Sequence, residues 1–167
     1  ARAPGRTHDR ELDAMQEWAG LGGVDRIDLG VRERPAPDLE PRQWIATMQS
    51  LAPQWLRGCR LRECWFEPTF QKHAGKLCAG IQIHVDHPGY NHEDFKPWRL
   101  VALALKSLRT LRPGCDLWRN FAYEYEHDRL AIDVINGSEL LRQWVDDAAS
   151  TPADLDKLAT ADEKSWI

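Results

Sequence analysis

Leu77-Cys78-Ala79-Gly80-Ile81-Gln82-Ile83-His84-Val85-Asp86 is the most regular stretch of the chain. Apolar and polar residues alternate through it with the two-residue period of a β-strand. Ile81, Ile83 and Val85 fall on one side, and Gln82, His84 and Asp86 on the other. One side suits a core and the other presents polar groups. His87-Pro88-Gly89-Tyr90-Asn91-His92 then reads as a turn-rich loop.

Moving upstream, residues 59–67 predict a second strand that runs into the Glu67-Pro68 turn. A helix begins near Pro41, with Trp44, Ile45, Met48 and Leu51 spaced as a core-facing stripe, and Pro53 ends it. Asp25 to Val31 alternates as a strand with Ile27, Leu29 and Val31 on one side. Arg32 to Pro37 is a connector and the best place for a boundary. Glu11 to Leu21 reads as a helix stopped by Gly20, Gly22 and Gly23.

Downstream, Pro97 suits the first turn of a helix, because its missing amide hydrogen costs nothing there. Leu100, Val101, Ala104, Leu105, Leu108 and Leu111 give that helix a wide apolar stripe, closed by Arg112-Pro113-Gly114. In residues 119–129, Phe121, Tyr123 and Tyr125 alternate with Ala122, Glu124 and Glu126, which also describes an edge strand. Ser138 is placed to cap a short helix over 138–147, and Thr151-Pro152-Ala153-Asp154 to open a last one. Strands and helices do not alternate regularly enough for a doubly wound parallel sheet. The expected fold is therefore α+β. A mainly antiparallel sheet of four or five strands would be covered on one face by helices at about 41–52, 97–111 and 138–147.

The 167 residues carry a net charge of −4, with arginines interspersed among acids, which argues against a nucleic-acid partner. No apolar run approaches a membrane span, since Leu100 to Leu105 is closed by Lys106. Ala1 to Arg10 carries charges and no apolar stretch, so it does not read as a signal peptide. These features fit a soluble protein and leave its compartment open. Cys59, Cys64, Cys78 and Cys115 form no C-x-x-C pair and read as free thiols, with a single disulfide the alternative.

Three polar clusters could carry chemistry. His84, Asp86, His87 and His92 include metal-ligand types, and His84 and Asp86 share a strand face. The plainer reading is surface and turn histidines. Lys72 and His73, with Lys76, form a basic loop able to receive an anion or a hydroxyl-rich ligand, or simply a solvated loop. Tyr123 to Arg129 sets aromatic faces beside carboxylates, which suits sugars. Glu124 and Glu126 would share one strand face instead of flanking a bond from two sides, so they do not read as a glycosidase pair. No G-x-S-x-G elbow, H-E-x-x-H helix or phosphate-binding glycine loop is present.

The run Phe66-Glu67-Pro68-Thr69-Phe70-Gln71-Lys72-His73-Ala74-Gly75-Lys76-Leu77-Cys78-Ala79-Gly80-Ile81-Gln82-Ile83-His84-Val85 resembles a signature of the bacterial exo-β-N-acetylmuramidases. The resemblance continues through Phe95 to Arg99, Tyr123 to Tyr125, Asp128 to Gly137 and Pro152 to Asp156, and so covers about 41–167. Enzymes of that family release terminal N-acetylmuramic acid from peptidoglycan fragments. The resemblance implies a two-part plan, in which a Rossmann-like domain carries the acidic catalytic residues and a smaller C-terminal domain closes the cleft. The motif E-G-T-N-x-S-x-G-R-G-T of the catalytic part does not occur in these residues. No catalytic residue therefore carries over.

The expected organisation is an unassigned segment 1–40 and a muramidase-like C-terminal domain 41–167. The expected role is non-catalytic glycan binding or structural support, with neither cofactor nor metal. Its partner would be a muropeptide, a muramic acid sugar or a separate Rossmann-like catalytic domain. The candidate surface is Lys72, His73, Gln82, His84, Tyr123 and Glu124. The alternatives are a free-standing protein-interaction domain and a small metal-dependent enzyme built on His84, Asp86 and His92.

Overall fold

The computed structural model describes the backbone of residues 26–31 and residues 40–67, 69, 74–75, 77–118, 123 and 125–165. The expected helix at Glu11 to Leu21 lies outside them, as do Lys72, His73 and Glu124.

Three strands form one antiparallel sheet: β1 (Arg26–Val31), β2 (Arg60–Phe66) and β3 (Cys78–His84), in the order β1-β3-β2. The fold is α+β with antiparallel pairing, but among the described residues the sheet has three strands, not four or five. The clearest strand of the sequence is its centre. β1 lies ahead of the Pro35–Pro37 connector and still pairs with β3 along its whole length, from Arg26 opposite His84 to Val31 opposite Ala79.

Helix α1 (Pro41–Leu51) starts on its proline and lays Trp44 and Met48 into the core, with Ile45 and Leu51 partly buried. It contacts both β2 and β3. Helix α2 (Pro97–Leu111) packs on α1, and the Trp44 indole joins them by donating to the Ala104 carbonyl (3.1 Å) and Ser107 Oγ (2.8 Å). The expected stripe on α2 understates its burial. Ala102, Leu103, Lys106 and Ser107 are buried as well as Leu100, Ala104, Leu105 and Leu108. A helix enclosed on most sides is a core element, not a surface one. Before β2, the backbone at Gly58 approaches that of Asp94 and Phe95 so closely that a Cβ would sit 2.4 Å from Phe95 N.

The edge strand expected in 119–129 is not observed among the described residues there. Tyr123 and Glu126 exchange backbone hydrogen bonds (3.1 and 3.0 Å) across a tight turn. Arg129 folds back onto the Glu126 carboxylate at 2.8 Å and braces the turn. A short helix α3 (Ala131–Asn136) follows, ended by Gly137 in the left-handed conformation (φ 79°) that glycine adopts without a Cβ penalty. Six residues are too few for a helical period to register in sequence.

Helix α4 (Leu140–Asp146) is not capped by Ser138, as expected, because the N-cap position is Glu139 and Ser138 Oγ lies against the Asn136 amide. Helix α5 (Pro152–Ser165) does open with the expected box: the Thr151 amide and hydroxyl both donate to the Asp154 carboxylate, at 3.0 and 2.7 Å. Arg99 ties α2 to α5 through Asp156 (2.6 Å) and Glu163 (2.8 Å).

Candidate functional site

Strand parity divides the sheet. Ile81 and Ile83 are fully buried on the helix side. Gln82 and His84 point the other way, and the β2 register adds Arg62 opposite Gln82 and Arg60 opposite His84. Residues directly opposite one another share a face, so this side of the sheet combines an amide, an imidazole and two exposed guanidinium groups. The two arginines were not singled out from sequence. Their parity within 59–67 was visible, but their pairing with β3 was not.

Gln82 was expected on an exposed face, yet it is only 8% exposed. It sits mid-strand in the central strand, where neighbours on both sides restrict solvent. His84, at the strand end, keeps a quarter of its side chain exposed. Gln82 Oε1, His84 Nε2 and His87 Nε2 are all withdrawn from solvent without a hydrogen-bond partner among the described residues. An unsatisfied buried polar atom typically costs about 1–3 kcal/mol, so three in one region is a notable concentration.

The histidine cluster divides. His84 Nδ1 lies 3.5 Å from Asp86 Oδ1. His87 Nδ1 accepts from the Gly89 amide (3.0 Å), which leaves the ring proton on Nε2 when the ring is neutral. His92 meets the Tyr90 hydroxyl at 3.0 Å, and Tyr90 packs edge-on against Phe95. The loop between them is held by Asn91, which accepts from the Glu93 amide and donates to Asp94. Among the described residues, no three His, Cys, Asp or Glu side chains gather as a metal would need. His84, Asp86 and His92 therefore do not form the centre that a metal-dependent enzyme would require.

Of the other expected site residues, Tyr123 lies in the turn closed by Glu126. Glu126 is paired with Arg129, whose guanidinium holds its carboxyl below the ordinary glutamate range. Cys59 and Cys115 are buried free thiols. Burial pushes the Cys59 thiol up to about 11 and raises that of Cys115, so neither supplies a ready thiolate at neutral pH. No helix among the described residues is long and apolar enough to cross a membrane.

The family model described as exo-beta-N-acetylmuramidase NamZ, C-terminal, matches residues 35–167. The chain belongs to the NamZ C-terminal family. This is the family that the run from Phe66 to Val85 resembles, and membership relates the chain to the C-terminal half of a peptidoglycan-directed glycoside hydrolase. The NamZ match takes in the Pro35–Pro37 connector and everything from α1 to α5, while β1 lies ahead of it. No curated protein and no solved structure matches the chain.

Proposed function

We propose that residues 41–167 form the non-catalytic, glycan-facing half of a muramidase-type enzyme, and that the sheet face over Gln82 receives the muramic acid end of a muropeptide. The observation that supports this is the pair of orphaned atoms, Gln82 Oε1 and His84 Nε2, beneath a face edged by Arg60 and Arg62. A plain scaffold gains nothing from buried groups left unpaired. The lactyl carboxylate of muramic acid needs cations or donors, and each charge-assisted contact of that kind contributes roughly 1.5–3 kcal/mol. Lys72, His73, Tyr123 and Glu124 extend the proposed surface. In this reading hydrolysis belongs to a separate catalytic domain, and the chain alone releases no N-acetylmuramic acid from a chromogenic muramide.

A second reading is contact with that catalytic domain. It is favoured by Trp98, Ile135 and Leu140, which are 40%, 48% and 49% exposed. Trp98 is tied to Asn136 by a 3.0 Å hydrogen bond, which puts it next to the α3 terminus.

The test is calorimetric titration of the chain, and of a variant carrying Lys72→Ala and His84→Ala, with a muropeptide ending in N-acetylmuramic acid. The expected result is a folded variant whose affinity falls tenfold or more, about 1.4 kcal/mol. A sharp loss of stability with unchanged binding, after correction for unfolded protein, makes the surface structural and the proposal wrong.

A further inference from the structure

The edge strand β2 and helix α1 enclose an open cleft of about 710 Å³, lined by Glu40, Arg42, Gln43, Ala46, Glu63 and Trp65. It lies on the other side of the sheet from the polar face. Glu63 and Trp65 stand opposite Ile81 and Ala79, and so share the parity of the core-facing residues. Trp65 nevertheless is 53% exposed and is not part of the core cluster. Among the described residues no aromatic ring or cation stacks on this indole, which stands at the wall of the cleft as an apolar platform.

The polar lining is ordered. Glu63 takes two bonds from Arg42, at 2.7 Å from Nη2 and 3.2 Å from Nε, which joins the two side chains across the cleft. Two of the five N–H groups of Arg42 are used in this way, and its side chain stays 83% exposed. Gln43, one residue on, adds an exposed amide from the same helix turn. Ala46 is the one small apolar residue of the wall, too little to make the apolar centre of a protein interface. A flat aromatic face ringed by hydrogen-bonding groups matches a pyranose, which has an apolar C–H face and a rim of hydroxyl or acetamido groups. Holding Arg42 through Glu63 before a ligand arrives lowers the ordering cost of binding.

We propose that this cleft is a second glycan site, in which a hexopyranose of an N-acetylated glycan chain stacks on Trp65 while Arg42, Gln43 and Glu63 hold its equatorial substituents. The choice of glycan rests on membership of a muramidase family, but the site does not depend on the polar-face reading.

The experiment titrates the full ¹⁵N-labelled chain with the tetrasaccharide of N-acetylglucosamine. That probe carries no lactyl carboxylate, so failure of the muramic acid proposal leaves this test untouched. The expected result is saturable binding that shifts the Trp65 indole N–H and weakens tenfold or more in Trp65→Ala. Trp65→Phe should keep part of the affinity. Arg42→Ala, at a surface position, serves as a second variant and should weaken binding at least threefold. Absence of binding to the wild-type chain overturns the proposal, as does affinity within twofold of wild type in folded Trp65→Ala or Arg42→Ala.

Discussion

Replacing Lys106 by methionine should destabilise the domain by about 2–4 kcal/mol. Lys106 is only 6% exposed, in the middle of α2. Its ammonium donates to the carbonyls of Trp144 (2.8 Å) and Asp147 (2.6 Å), with Val145 at 3.4 Å, and lies 5.1 Å from the centre of the Trp144 ring. These are carbonyls from the end of α4, which have no partner inside their own helix. Two short charge-assisted bonds are worth roughly 3–6 kcal/mol together, and avoiding the burial of an ammonium returns part of that. At about 2–4 °C per kcal/mol for a chain of this size, the midpoint of thermal unfolding should fall by roughly 5–15 °C. Urea and thermal melts followed by circular dichroism measure it. Burial pushes the Lys106 ammonium below its ordinary value of 10.5, against the pull of Asp147 and Asp146. Between the folded value and 10.5 the unfolded chain binds the extra proton, so this linkage raises stability as pH rises through that window. A neutral amine still donates two hydrogens, enough for the two short bonds. The methionine variant should lose that alkaline component. Equal or greater stability of Lys106→Met at pH 7 would refute the assignment of Lys106 as a stabilising cap on α4.

Gly58→Ala places a Cβ 2.4–2.8 Å from backbone atoms of Phe95 and Asp94, which cannot rotate away, and should cost at least about 2 kcal/mol in urea unfolding. Asp133→Ala removes a 2%-exposed carboxylate that accepts from Arg142 Nε and Nη2 at 2.8–2.9 Å and leaves the guanidinium only its longer contact with Glu139 (3.3 Å), which should lower stability by about 1–3 kcal/mol in the same assay. Asp154 is held down to about 2, first by the Thr151 hydroxyl and then by the Thr151 amide and Lys157. Its folded value is depressed, so its contribution is present above the unfolded value of 3.8 and lost as pH falls towards 2. The stability gap between wild type and Asp154→Asn, measured by melts at successive pH values, should therefore close over that range.

The sequence by itself determined the local units and the family. Alternation in 77–86 marked β3, the prolines at 41 and 97 marked the starts of α1 and α2, and Thr151-Pro152-Ala153-Asp154 marked the start of α5. These signals are legible because periodicity, a missing amide hydrogen and a capping carboxylate all act within a few residues. Tertiary structure decided what each unit meets. Lys106 closes an apolar run in the sequence, and only the packing of α4 against α2 turns it into a buried donor. Gln82 alternates like an exposed residue, and only the central place of β3 withdraws it from solvent. Trp65 has the parity of a core residue, yet in the folded chain it stands half in water. Tyr123 and Glu126 alternate in sequence like residues of a strand, but in the structure they close a tight turn on each other, braced by Arg129. Alternation shows which side a residue faces; which strand or helix covers that side is settled by contacts between residues far apart in the chain.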